Sequence, residues 1–211
     1  MFDWDGTIMD SHSAILASYW AASTEVIGRR FPDTEEEIRL VRPMRAQESF
    51  GMLSQDGTVV AELIAAYHRA YMTNMHLATA FGGIPELLQD LRMRGLSVAV
   101  VTSKDSHRVA GDARKEGLAG LVDAFVTGDQ TLERKPHPGP VLEGLTALGI
   151  LPNEAIYVGD GPQDVIAGRG AQVFTIAVTY GLHDRDEITE VSPDAMADTV
   201  AQLAEQIESN L

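Results

Sequence analysis

From residue 11 to residue 76 the apolar positions recur every three or four residues, the spacing of helices that each bury one stripe. Ile15, Leu16, Tyr19, Trp20, Val26 and Ile27 form the first stripe, with Asp10 or Ser11 as its cap and Gly28 as its stop. A short helix runs from Asp33-Thr34-Glu35 to Leu40, another spans 45–53, and a fourth covers 59–76 with Leu63, Ile64, Tyr67 and Tyr71 on one face. No strand pattern separates them. Residues 13–80 therefore read as a helical insert of roughly 70 residues.

From Phe81 onward helical spacing alternates with short continuous apolar runs. Strands are expected at 96–101, 124–126, 155–158 and 173–178, with an edge strand at 195–196. Helices are expected at 85–94, 105–116, 138–148, 164–171 and 198–208. An unbroken apolar run such as 96–101 suits a parallel strand buried on both faces. The alternation predicts an α/β fold, a doubly wound parallel sheet built from 1–12 and 81–211, with 13–80 inserted. Ligands bind beyond the carboxyl ends of the strands in such sheets. Asp3, Thr102, Gly128-Asp129 and Asp160 all fall there.

One strand is too short. Only Met1 and Phe2 lead into Asp3. About four missing buried apolar residues would forfeit on the order of 1.5–3 kcal/mol each. The expectation is that the sequence begins late, through a misplaced start or a truncation; a genuinely short strand is the alternative.

Composition narrows the chemistry. The 211 residues suffice for one good core and a smaller second lobe. The net charge of −15 opposes nucleic acid and anionic membranes as partners. It also repels phosphate esters, so a phosphate site must build its own positive field from metal, lysine and backbone N–H groups. There are no cysteines, which removes disulfides, thiolate metal sites and cysteine nucleophiles. With no membrane-length apolar run and no signal-peptide pattern, a cytoplasmic location is expected. Whether the protein is a monomer or a homodimer is not legible.

The candidate chemistry begins at Asp3-Trp4-Asp5-Gly6-Thr7, where two acids flank the end of a strand. Taken alone, an Asp-Gly pair is ordinarily a plain turn. Its neighbours in order are Thr102-Ser103, Lys135-Pro136, and Gly159-Asp160 with Asp164. Phosphoryl transfer needs alignment and counter-charge more than covalent complexity. Asp3 can attack phosphorus, while Asp5 protonates the leaving oxygen and then deprotonates water. Thr102 can donate its hydroxyl to a phosphoryl oxygen, beside the N–H groups of loop residues such as Ser103. Lys135 can sit against nucleophile and phosphate as a point charge. Asp160 can bind Mg2+ together with Asp3 and the Asp5 carbonyl, with Asp164 supporting that shell directly or through water.

These motifs, with Val101-Thr102-Ser103-Lys104, Lys135-Pro136-His137-Pro138 and Val158-Gly159-Asp160-Gly161-Pro162-Gln163-Asp164, resemble the four signatures of the haloacid dehalogenase-like hydrolase superfamily. The resemblance spans almost the whole chain. The insert between the first and second motifs resembles the subclass with an α-helical cap. Phe81-Gly82-Gly83-Ile84-Pro85 re-enters the core much as in phosphoglycolate phosphatases. Gly161-Pro162 departs from relatives that often carry Ser after the acid. The resemblance implies an Mg2+-dependent phosphatase acting on a small phosphorylated metabolite through an aspartyl phosphate, with phosphoglycolate-like or sugar phosphates favoured. A phosphomutase of the β-phosphoglucomutase kind and a pyrophosphatase are the alternatives. The cap would close over the core and select the leaving group. Arg42 and Arg45 are its candidate specificity residues, against a plain solvated helix face.

Overall fold

The computed structural model describes residues 1–42 and 44–211. They form two compact units, Met1–Asp10 with Thr79–Leu211, and Ser11–Ala78. Among the described residues no helix is long and apolar enough to cross a membrane.

The smaller unit holds helices α1 (His12–Ile27), α2 (Glu35–Val41), α3 (Ala46–Gly51) and α4 (Gly57–Asn74). Each boundary has a local cause. Gly28, at φ 72°, closes α1 by donating its N–H to Thr24 O. Thr34 and Glu37 exchange side-chain and backbone hydrogen bonds at the start of α2, a full capping box. Asp56 Oδ1 accepts from Thr58 N at 2.8 Å to open α4. The apolar stripes meet on an aromatic cluster. Tyr19 lies 5.0 Å from both Phe50 and Tyr67, ring centre to ring centre, with buried Ala22, Leu63 and Ala66 around them.

The larger unit is a parallel sheet with one small antiparallel ribbon. The ribbon pairs β1 (Met9–Asp10) with β2 (Thr79–Ala80). It was not expected, because two-residue strands carry no readable alternation. The main strands are β3 (Ala99–Val101), β4 (Ala124–Val126), β5 (Ile156–Gly159), β6 (Phe174–Val178) and β7 (Ala195–Ala197). β3 pairs with β4, and β5 with β6 and β6 with β7, all in parallel.

Segment 1–3 joins the two halves, since Phe2 bridges Val100 on one side and Val158 on the other. It makes ladder hydrogen bonds on both edges. Phe2 N donates to Ala99 O and Asp3 N to Val158 O, while Phe2 O accepts from Val101 N and Met1 O from Val158 N, all at 2.8–2.9 Å. The order is thus β4, β3, 1–3, β5, β6, β7. This pairing places Asp3 at the carboxyl end of the central position.

Strand β3 is shorter than the apolar run that announced it. Asp123 Oδ2 accepts from Val98 N at 2.8 Å, and Val98 O accepts from Asp123 N at 2.7 Å. A side chain there takes the place of a ladder partner. Helices α5 (Ile84–Met93), α6 (Ser106–Lys115), α7 (Gly139–Leu148) and α8 (Pro162–Gly170) connect the strands and α10 (Val200–Ser209) follows the last one, as the periodicity predicts. Helix α9 (Arg185–Glu190) was not foreseen; it buries only Ile188 and so shows no apolar stripe. Met1, Ala99, Val101, Val126, Val141, Leu145 and Tyr157 pack as one core cluster beneath the carboxyl ends.

Candidate active site

The chain leaves the sheet at Asp3 and turns at once. Trp4 O accepts from Ile8 N and Met9 N at 3.0 and 2.9 Å, and Gly6 takes φ 81°, where a side chain would be strained. The turn is crowded as well as tight. A Cβ on Gly6 would stand 2.1 Å from Asp160 Oδ2, and one on Gly181 would lie 2.4 Å from the same atom. Two glycines therefore open the space in which the Asp160 carboxylate sits.

Three acids converge there. Asp3, Asp160 and Asp164 are all buried, and each offers an oxygen within 4.8 Å of the others. Asp160 directly follows β5, and its Oδ2 accepts from Leu182 N at 2.6 Å. Asp164 lies in the first turn of α8, two residues after Pro162 opens that helix. Its Oδ2 accepts from Gly161 N at 3.1 Å, and its Oδ1 lies 2.6 Å from Lys135 Nζ. The same ammonium is 2.8 Å from Asp3 Oδ1, in a contact that is ionic rather than well angled for a hydrogen bond. It also donates to Val101 O and to the Tyr157 hydroxyl.

Burial sets the electrostatics. Desolvation pushes the Asp3 carboxyl up to about 7; the Lys135 charge opposes this and Asp164 adds to it. Desolvation likewise raises Asp160, reinforced by the charges of Asp164 and Asp3. For Lys135 burial works against the ammonium, but the carboxylates of Asp164 and Asp3 outweigh it and hold the group well above its ordinary value. Three buried acids face one ammonium. That residual negative charge, presented by hard oxygen donors, fits Mg2+.

The remaining expected residues are placed as follows. Thr102 is buried after β3, and its hydroxyl accepts from Lys104 N at 3.1 Å, which leaves its proton to donate. Ser103 is exposed on the same loop. That loop is pinned from behind, because Gly128 N donates to Lys104 O and a Cβ on Gly128 would strike Ser103 O at 2.2 Å. The Asp5 carboxylate is not part of the acidic cluster; it pairs with Lys104. Trp4 is fully buried and donates Nε1 to Asp112. His137 Nδ1 accepts from Gly139 N at the start of α7. In the helical unit, Arg42 follows α2, while Arg45 precedes α3 and is paired with Glu48 at half-exposed side chains.

Two contributors escaped the sequence reading. The Tyr157 hydroxyl lies 3.1 Å from both Asp164 Oδ1 and Val101 O, tying the lysine to the sheet. Its only signal was a polar tip within an apolar strand. The loop after β6 supplies the Leu182 N–H to Asp160. Gly6→Ala is expected to lower Mg2+-dependent turnover by about 10²-fold, because displacing Asp160 misplaces the site by about an ångström. Steady-state kinetics over a Mg2+ titration check this; wild-type turnover in the variant would show that Asp160 is not needed where it stands.

Known proteins resemble this chain in sequence and in fold. The profile of the family described as haloacid dehalogenase-like hydrolase matches residues 1–178. Pyrophosphatase PpaX of Bacillus velezensis is 30% identical over 205 residues, covering 96% of this chain and 93% of that one. Pyrophosphatase PpaX of Bacillus cereus is 29% identical over 208 residues with the same coverage. Among solved structures, a predicted phosphoglycolate phosphatase from Haemophilus somnus superposes with a TM-score of 0.87 at 22% identity, over 98% of this chain and 96% of that one. A HAD-superfamily hydrolase of subfamily IA from Geobacter sulfurreducens gives 0.75 at 24% identity, over 98% of this chain and 94% of that one. The match runs through the first turn, the Thr102 loop, Lys135 and Asp160 alike, and the protein belongs to the haloacid dehalogenase-like hydrolase family.

Proposed function

We propose that the protein is an Mg2+-dependent phosphatase that hydrolyses a small phosphorylated metabolite through an aspartyl phosphate on Asp3. The observation that carries this reading is Lys135 Nζ held 2.8 Å from Asp3 and 2.6 Å from Asp164, within a cluster of acids that only folding brings together. Asp3, Asp160 and the Asp5 carbonyl would hold the ion. Both Asp164 oxygens already have partners in Lys135 and Gly161 N, which favours support through water. When bound, Mg2+ supplies counter-charge to the transferring phosphoryl group.

The chain's own residues do the rest. The Asp3 carboxylate attacks phosphorus, and the P–O bond to the leaving group breaks. Lys135 opposes the burial that disfavours the ionised form of Asp3 and offsets charge on the equatorial oxygens. The Thr102 hydroxyl and the Ser103 N–H orient one of those oxygens. Asp5 gives a proton to the leaving oxygen, then takes one from the water that hydrolyses the acyl phosphate. The helical unit, with Arg42 and Arg45, is proposed to select the leaving group.

Phosphoglycolate-like and sugar phosphates remain the favoured class. Pyrophosphate is the second reading, favoured by the pyrophosphatase relatives; the reaction differs only in that phosphate is the leaving group. A screen for phosphate release from phosphomonoesters and pyrophosphate, with and without Mg2+, decides between them. The proposal predicts release that depends on Mg2+. Interconversion of sugar phosphates without net phosphate release would favour the mutase alternative, and no turnover of any phosphate compound would overturn the proposal.

The ionisation of Asp3 gives a pH signature. With its carboxyl raised to about 7, the metal-free fold binds a proton that the unfolded chain releases near pH 4. The stability this confers is present below about pH 4 and lost as pH rises through about 7. Mg2+ must displace that proton, so it binds better at high pH. Thermal unfolding is expected to show a larger Mg2+-induced rise in Tm at pH 8 than at pH 5.5. An equal or smaller rise at pH 8 would contradict the assignment.

A further inference from the structure

Next to the acidic cluster lies a second buried charge group that the mechanism above leaves unused. Lys104 Nζ is 2.8 Å from Asp5 Oδ1 and 2.7 Å from Asp112 Oδ2. The side chains of Lys104 and Asp112 are 1% and 0% exposed. Asp112 projects from α6, and its Oδ2 also accepts from Trp4 Nε1 at 3.2 Å. The Lys104 backbone is fixed at both ends, its N–H donating to Thr102 Oγ1 and its carbonyl accepting from Gly128 N.

Burying an ion pair is a poor way to gain stability, since apolar residues of the same volume serve as well or better. What the pair does achieve is local. Asp5 follows Trp4 and precedes the Gly6 turn, a place where a short acid is free to change rotamer. An ammonium that is itself anchored removes that freedom. At 1% exposure Lys104 is not placed to receive substrate, so its contact with Asp5 is its available route to the chemistry. We propose that Lys104, anchored by Asp112, is a positioning residue that fixes the Asp5 carboxylate for proton transfer. This rests on the reading of Asp5 as the acid–base group.

The test compares two esters in Lys104→Met and in the double variant Lys104→Met/Asp112→Leu. The double variant removes both buried charges together and leaves the Trp4 Nε1–H without its acceptor, a smaller loss than the uncompensated Asp112 carboxylate of the single variant. p-Nitrophenolate departs without a proton, whereas the alkoxide of glycerol 3-phosphate must receive one. The kcat/KM of each ester reports the phosphorylation step alone. It is expected to stay near wild type for p-nitrophenyl phosphate and to fall about 10²-fold for glycerol 3-phosphate. The kcat for p-nitrophenyl phosphate should fall as well, with a burst of p-nitrophenolate, because hydrolysis of the acyl phosphate needs Asp5 as base. A merely structural defect lowers both kcat/KM values alike. Equal losses for the two esters, or none in the folded double variant, would overturn the proposal. Asp5→Asn serves as the reference. If it splits the esters and the Lys104 variants do not, positioning alone fails; if it does not split them, the acid–base reading itself fails.

Discussion

Asp3→Asn is expected to abolish Mg2+-dependent phosphate release, with a fall on the order of 10⁴–10⁶ in kcat, the scale seen when a nucleophile is removed from an enzyme that uses one. The amide matches the carboxylate in shape, so the turn at Gly6 and the ladder of segment 1–3 are undisturbed. What changes is the lone pair that attacks phosphorus and one of the oxygens proposed to hold the metal. Stability is expected to move the other way. Wild-type Asp3 is kept from ionising by burial until about pH 7, and above that pH its charge weakens the metal-free fold. Asn carries no such charge. Without Mg2+, Asp3→Asn should therefore unfold at a temperature equal to or above wild type at pH 8. A dead variant that is also fully folded separates chemistry from structure; an active one removes Asp3 as nucleophile.

Lys135→Ala carries the second largest effect. The ammonium touches Asp3 and Asp164 and is offered to the Tyr157 hydroxyl and the Val101 carbonyl. Removing one preorganised electrostatic contact costs roughly 10²–10³ in rate. Removing one partner of a buried charge group also costs about 3–5 kcal/mol in stability. The pH dependence of that cost follows from the raised carboxyls. At pH 5.5 burial keeps Asp3 protonated, so its charge is not among those left uncompensated. At pH 8 Asp3 ionises without its counter-charge. Denaturant unfolding should show the variant losing more stability at pH 8 than at pH 5.5. Full-speed turnover, or a loss independent of pH, would overturn the role given to Lys135.

How far the residues announced this arrangement varies from element to element, for physical reasons. The apolar runs at 155–158 and 173–178 became strands within a residue or so, because a parallel strand covered on both faces has nowhere to put a polar side chain. The helical insert was equally legible in Tyr19, Leu63 and Tyr67, which keep helical spacing and meet in one core. Asp3, Lys135, Asp160 and Asp164 were legible as candidates by their place at strand ends and in loops, and the fold gathers them.

Other contributors left no trace in the sequence. A backbone N–H such as that of Leu182 has no side-chain signature. Tyr157 reads as one more large residue of a buried strand until its hydroxyl is seen to meet Lys135. Asp112 sits on a helix among polar neighbours, where an acid ordinarily faces water, so its burial against Lys104 and Trp4 could not be foreseen. The ribbon of Met9–Asp10 with Thr79–Ala80 is too short for any periodicity and depends on a partner about 70 residues away.

The measurement closest to the central claim is chemical trapping of the intermediate. The enzyme is mixed with Mg2+ and a substrate found in the phosphate-release screen, quenched in acid during turnover, and reduced with borohydride, which converts an acyl phosphate of aspartate to homoserine. Peptide mass spectrometry should then find homoserine at position 3 and Asp5, Asp160 and Asp164 unchanged. Conversion at another acid, or steady turnover with no residue converted, would contradict it.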